Sequence, residues 1–416
     1  GTSIALVQIL ALLLHYLPGP LPLWAELGLL NLLAAAPVLL REALTGPSTG
    51  TPTAVFAPAS QRAGVGLLVM ATVLGLGLRV VWLDYSEFQG DESLVMITAA
   101  EVIEGHSDAL WLRGKGPGEV LLPAALWRLT GTIHEGAARL PFASAACLVP
   151  VVGFLLATHL FGPHRSGYAP GVAAAVLVAV NGFMVAFGRI VQYQSLVVLM
   201  SGLALLCAWH WQRDGGRVRW LVWCGLFLGV GLLAHYDTLL VMPAVLYLVG
   251  MGVLRAHRSR VSRSAVAVLF GGLVLVVVSG LFYAPYLLDA QASRTGSYLG
   301  DRIGDQLLKN NLDSFQQFNV FYTSFYYYAL TGLLVLAWLA WVSRRAPLLN
   351  RLPRVSVWWP PVLTLAILGM AIWPHALRTA TMDLAAVPFA LLLIWAALSA
   401  QLDHGRRAVV LWLAVP

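Results

Sequence analysis

The feature that most constrains this chain is a succession of long apolar stretches divided by short polar links. Several run about 17 to 25 residues, enough for a helix to cross a hydrocarbon core of ~30 Å. They fall at about 3–17, 22–40, 63–83, 137–161, 169–187, 195–211, 220–234, 238–254, 264–287, 321–342, 357–373 and 382–400 of the 416 residues, and a thirteenth begins near Ala408. Composition agrees: 59% of residues are hydrophobic, 11% are charged and the mean hydropathy is +0.77, where soluble domains carry roughly 25% charged residues. A water-soluble globule is thereby excluded. The short alternating segments of a membrane barrel are absent, so the helix remains as the way to satisfy backbone polar groups in lipid. The expected fold is an all-α polytopic membrane protein of about 12 to 13 transmembrane helices. Both ends of the chain are expected to be incomplete, since it opens on Gly1 and stops at Pro416 inside an apolar run.

Arginine placement sets the expected orientation, because cytoplasmic loops collect Arg and Lys. Arg255, Arg258, Arg260 and Arg263 mark one such loop. Arg213, Arg217 and Arg219 mark another, and Arg344, Arg345, Arg351 and Arg354 a third. The pI of 9.5 is therefore mostly topology, and dispersed inner-side arginines do not suggest nucleic acid. On the opposite side, nine of the nineteen acidic residues lie between Asp84 and Glu135, in a predicted external loop spanning 84–136; a second spans 288–320. Loops that long are commonly functional. Cys147, Cys207 and Cys224 sit in apolar runs without paired spacing, so neither a disulfide framework nor a zinc motif is suggested.

Within the first loop, Gly90-Asp91-Glu92 places two adjacent carboxylates at a membrane surface, where one could serve as a general base. The run Ser93 to Gly105 is predicted helical, with apolar positions at Leu94, Ile97 and Val102. Asp91 would then also suit a plain helix cap. Arg113-Gly114-Lys115-Gly116-Pro117-Gly118 holds one of only two lysines, among glycines that let backbone approach an anion; a glycine-rich turn with snorkelling cations fits equally well. Glu119 to Leu129 is apolar but too short to span, which suggests an amphipathic helix lying at the interface. Arg139, Arg189, His375 and Arg378 are external cations on several different helices, readable as interfacial anchors or as parts of one anion site. His235-Tyr236-Asp237 reads as a helix-turn cap, and the aromatics from Phe315 to Tyr328 as an interfacial belt or a stacking surface.

The order of Phe88-Gln89-Gly90-Asp91-Glu92, Lys115-Gly116-Pro117 and Ala138-Arg139-Leu140-Pro141-Phe142-Ala143-Ser144-Ala145 resembles the GT-C superfamily of integral membrane glycosyltransferases, in the branch holding protein O-mannosyltransferases and the lipid A aminoarabinose transferase. Weaker echoes are Phe187-Gly188-Arg189 and the stretch from Arg378 to Pro388. The resemblance covers roughly Arg62 to Ala400. It implies a GT-C-like domain over 62–400; two extra N-terminal transmembrane helices with a cytoplasmic linker over 1–61 lie outside it, as does the start of a further segment over 401–416. It further implies inverting transfer of a sugar from a polyprenyl-phosphate donor to a lipid, glycan or protein acceptor at the extracytoplasmic side of the plasma membrane. Asp91 maps onto the family's base with Glu92 as its neighbour. Lys115 maps onto the lysine that reaches the donor phosphate, although Gly116 stands where the family has proline, and Arg378 matches a late phosphate-site arginine. Arg139, Arg189 and His375 complete the expected phosphate set. Where the family often carries an acidic residue after the match to Arg189, this chain has Gln192, Tyr193 and Gln194, so a second acidic role stays unassigned. No cofactor is required, and a divalent metal is allowed but not demanded, because cations can stabilise the departing phosphate.

Two other classes compete. A secondary transporter needs ionisable residues at mid-membrane, and the segments hold almost none. A catalytically silent subunit of a larger membrane assembly would use the same fold as a scaffold, with the N-terminal helices as a docking surface for a partner or a second copy.

Overall fold

The computed structural model describes residues 2–17, 59–88, 90–106, 108–112, 114–161, 169–213, 217–255 and 261–289, with a few single positions besides. Helices α1 (Thr2–His15), α2 (Ala59–Val80), α3 (Asp91–Glu104), α4 (Ala109–Leu112), α5 (Gly118–Thr130) and α6 (Glu135–Phe161) come first. They are followed by α7 (Ala169–Val180), α8 (Gly182–Phe187), α9 (Gln194–Arg213), α10 (Val218–Ala234), α11 (Met242–Arg255) and α12 (Val261–Leu288), with a 3-10 turn at Tyr236–Val241. No strand occurs among the described residues. Among the described residues four helical stretches, Glu135–His159, Gln194–Arg213, Tyr236–Leu254 and Ser264–Leu288, are long and apolar enough to cross a membrane. The protein is an all-α polytopic membrane protein, as expected. The predicted segments near 22–40, 321–342, 357–373 and 382–400, the second external loop, the aromatics from Phe315 to Tyr328, Arg113, His375 and Arg378 lie outside the described residues.

The chain divides into two compact units, Gly1–Leu239 with His257–Arg294, and Leu240–Ala256 with Thr295–Pro416. In the second, α11 is the described helix. In the first, α2, α7, α6, α9, α10 and α12 pack each against the next. Small residues let the backbones approach, which is how helices associate where lipid removes the hydrophobic drive. A Cβ at Gly225 of α10 would overlap the Gly271 carbonyl of α12, and one at Gly271 would lie 2.7 Å from the Leu221 carbonyl. Helix α1 packs against α5, α10 and α12. The N-terminal helix therefore belongs to the body of this unit.

The segment expected to run unbroken from 169 to 187 divides at Asn181. Its side chain accepts a hydrogen bond from the Met184 N–H at 2.9 Å and so caps α8, the ordinary N-cap behaviour of asparagine. The break leaves the last carbonyls of α7 without helical donors. Arg79, fully buried on α2, supplies them: Nη1 donates to the Ala179 carbonyl at 2.7 Å and Nη2 to the Val178 carbonyl at 3.0 Å. Replacing Arg79 by Leu strands two buried carbonyls, each costing about 1–3 kcal/mol. Arg79→Leu is therefore expected to lower the thermal unfolding midpoint of the detergent-solubilised protein.

Candidate active site

The links at one end of the first unit converge on a buried ion pair. Arg139, on the first turns of α6, is fully buried, and Glu92, the second residue of α3, is 5% exposed. The two form a bidentate bridge, Nε to Oε1 at 2.9 Å and Nη2 to Oε2 at 2.8 Å. The remaining guanidinium protons go to backbone: Nη1 to the carbonyls of Leu83 and Ser86, and Nη2 to that of Glu87. An arginine has five N–H donors, and all five are taken inside the protein. Tyr85 and Phe88 cover the guanidinium, their ring centroids 5.1 and 5.4 Å from its central carbon. The link from 83 to 88 is in effect wound around this one side chain.

Glu92 reaches further. Its Oε1 also accepts the Val191 N–H at 2.9 Å. Two residues on, the Tyr193 N–H donates to Oε1 of Glu119, again 2.9 Å. Glu119 is 1% exposed and, like Glu92, is the second residue of a helix, where a carboxylate also meets a favourable dipole. Two buried carboxylates thus hold alternate N–H groups of the link between α8 and α9. This also settles the nature of α5, which was expected to lie at the interface as an amphipathic helix. Its residues Gly118 to Ala125 and Trp127 are buried, and it packs against α1, α3, α6 and α10. A short apolar run preceded by a carboxylate with a backbone partner is enclosed by protein instead of being laid on lipid.

Asp91 stands apart from this network. It is the first residue of α3 and exposed, and no hydrogen bond or ion pair links its side chain to another of the described residues. It is not the cap, because that position belongs to Gly90, whose φ of 57° is one that glycine adopts freely. Ser93 Oγ donates to the Phe88 carbonyl at 2.8 Å and closes the turn. The buried face of α3 is Glu92, Val95, Met96, Ala99 and Val102, whereas Leu94 and Ile97 are more than half exposed. Of the three apolar positions named in the predicted helix, Val102 is buried at 1% exposure.

Lys115 sits on a loop pressed against the end of α10. A Cβ at Gly116 would overlap the Leu233 carbonyl, and one at Gly118 would lie 2.6 Å from Gln8 Nε2 and 3.1 Å from the Ala234 Cα. That close approach accounts for Gly116 where the resembling family has proline. The Lys115 Nζ lies 5.7 Å from the centroid of the Tyr193 ring. That ring is stacked on His235 at 3.6 Å and 7°. His235 ends α10, its N–H bonded to the Gly231 carbonyl, so the cap expected at 235–237 exists, with a stacking role added to it.

Arg189 closes the far end of α2. Nη1 donates to the Leu78 carbonyl at 2.8 Å and Nη2 to the Trp82 carbonyl at 2.9 Å. Trp82 adopts a φ of 52°, uncommon for a residue with a bulky side chain. Arg189 also covers the Tyr85 ring at 5.1 Å from the side chain's central carbon, so Tyr85 touches both arginines. Of the expected site residues, Glu92, Arg139, Arg189 and Lys115 are thus tied together through the link from 189 to 193. Asp91 is carried on the rigid end of α3. Glu119, Tyr193 and His235 join them. A carboxylate set inside an apolar run was the available signal for Glu119.

Breaking a buried pair by removing one partner costs about 3–5 kcal/mol. Glu92→Ala and Arg139→Lys are both expected to show losses of that order in thermal unfolding, lysine because it cannot reproduce the planar five-donor fork. Asp91→Asn is expected to unfold with the wild type.

No curated protein matches the chain. Residues 115–283 match the model of the dolichyl-phosphate-mannose-protein mannosyltransferase family, part of the GT-C superfamily. The stretch takes in Lys115, Arg139, Arg189, Tyr193 and His235 and begins after Asp91 and Glu92, so it is narrower than the resemblance read from the motifs. What it supports is a membrane glycosyltransferase of the GT-C type.

Proposed function

We propose that the chain is an inverting glycosyltransferase that moves a sugar from a polyprenyl-phosphate donor to an acceptor on the extracytoplasmic side of the plasma membrane. The observation that carries this reading is the contrast between the adjacent carboxylates of Asp91 and Glu92. Glu92 is spent on a buried bridge, and Asp91 is left exposed, with no ion pair among the described residues, on the helix end that the bridge fixes. A general base needs a free carboxylate on a rigid mount.

In the reaction, the acceptor hydroxyl oxygen attacks the anomeric carbon while the bond from that carbon to the phosphate oxygen breaks. Asp91 takes the hydroxyl proton. The polyprenyl phosphate leaves with a further negative charge, which a fixed cation stabilises. Lys115 is the described candidate for it, on a loop whose backbone is held by Gly116 and Gly118. Arg189 keeps N–H groups beyond the two it donates to the carbonyls of Leu78 and Trp82, and it is a second candidate for the phosphate; Arg378 and His375, expected in the same role, lie outside the described residues. Glu92 and Arg139 act as positioning residues. The scheme demands no metal, the lipid carries the activated sugar, and the acceptor would be a lipid, a glycan or a protein.

The test is sugar transfer by the full chain in nanodiscs from a panel of radiolabelled polyprenyl-phosphate sugars. Asp91→Asn is expected to lose about 10²–10⁴-fold in turnover while still binding donor. Turnover equal to wild type in that variant would overturn the assignment of the base.

A further inference from the structure

Tyr193 and His235 are unexplained by the scheme above, yet their geometry is the most closely defined around Lys115. The rings are parallel within 7° at 3.6 Å. His235 is 1% exposed. Its Nδ1 accepts the Asp237 N–H at 3.1 Å, and the Asp237 carboxylate lies 3.1 Å from the same nitrogen. The Tyr193 backbone is fixed independently by Glu119. A ring held at its backbone by one helix and at its face by another has little freedom left, and the Lys115 Nζ lies over it, 5.7 Å from its centroid. An ammonium within about 6 Å of an aromatic face is attracted by the ring quadrupole, while a lysine side chain alone is flexible.

We infer that Tyr193 stacked on His235 is a pedestal that holds the Lys115 ammonium in place for the donor phosphate. This rests on the glycosyltransferase reading and deepens it: the pair are positioning residues that act through Lys115 and touch no reacting atom. Tyr193 occupies the link where the resembling family often carries an acidic residue. In this chain the link supplies a ring face there, 5.7 Å from the Lys115 ammonium. The phenol hydroxyl is not required, because attraction comes from the ring.

The experiment compares binding of decaprenyl phosphate and of uncharged decaprenol to the full chain in nanodiscs, for wild type, Tyr193→Phe, Tyr193→Leu, Lys115→Met and the double variant Lys115→Met/Tyr193→Leu. Tyr193→Leu is expected to weaken decaprenyl phosphate binding about three- to tenfold, Tyr193→Phe less than about twofold, and neither to change decaprenol binding. In the Lys115→Met background, Tyr193→Leu is expected to add nothing, since a residue acting through another gives no further loss once that other is gone. An equal loss in both backgrounds, or a parallel loss of decaprenol binding, would mark Tyr193 as merely structural and overturn the inference. If Lys115→Met weakens phosphate binding and Tyr193→Leu does not, the pedestal alone fails. If Lys115→Met itself has no effect on phosphate binding, the assigned role of Lys115 fails and the pedestal with it.

Discussion

The structure around the candidate site depends on the bridge between Glu92 and Arg139. Taking two charges out of water is expensive, and the attraction between them offsets that cost only when geometry is good and the remaining donors are satisfied. Both conditions are met here, with two short bonds to the carboxylate and three to carbonyls of the link that follows α2. Such a pair is weak evidence for stability in itself. Its value lies in specification: the link from 83 to 88, the start of α3, the start of α6 and the Val191 N–H can all be satisfied only in one mutual arrangement.

The same logic recurs at smaller scale. Arg79 satisfies the end of α7, Arg189 the end of α2, and Glu119 the backbone of Tyr193. In these links a long charged side chain reaches to backbone groups, because little else in so apolar a chain can meet them. The buried Arg79, Glu92, Glu119 and Arg139 are thus all tied to backbone, and Asp91, exposed beside Glu92, contrasts with its neighbour.

Helix positions were legible because about 20 apolar residues in a row admit few alternatives in lipid. The breaks and the roles of charges were less so. Asn181 interrupts an apolar run by a local cap that hydropathy does not weigh against its neighbours. In α3 the apolar Leu94 and Ile97 are exposed while the charged Glu92 is buried, an inversion that residue type alone does not reveal. Adjacent Asp91 and Glu92 look alike in sequence, and only the position of Arg139 separates their fates. The glycines around Lys115 read as room for an anion or as a plain turn, while those at 116 and 118 lie in close contact with the end of α10. In each case the deciding partner is distant in the chain, and a single sequence does not say which distant groups meet.

The most direct measurement is a cryo-EM structure of the full chain with a bound polyprenyl phosphate. The account predicts phosphate density within hydrogen-bond distance of Lys115 Nζ, Asp91 facing the carbon end of the phosphate ester, and Arg139 still closed on Glu92. Density showing Arg139 released from Glu92 and bonded to the phosphate would contradict it, because the bridge would then be part of the chemistry and no longer its support.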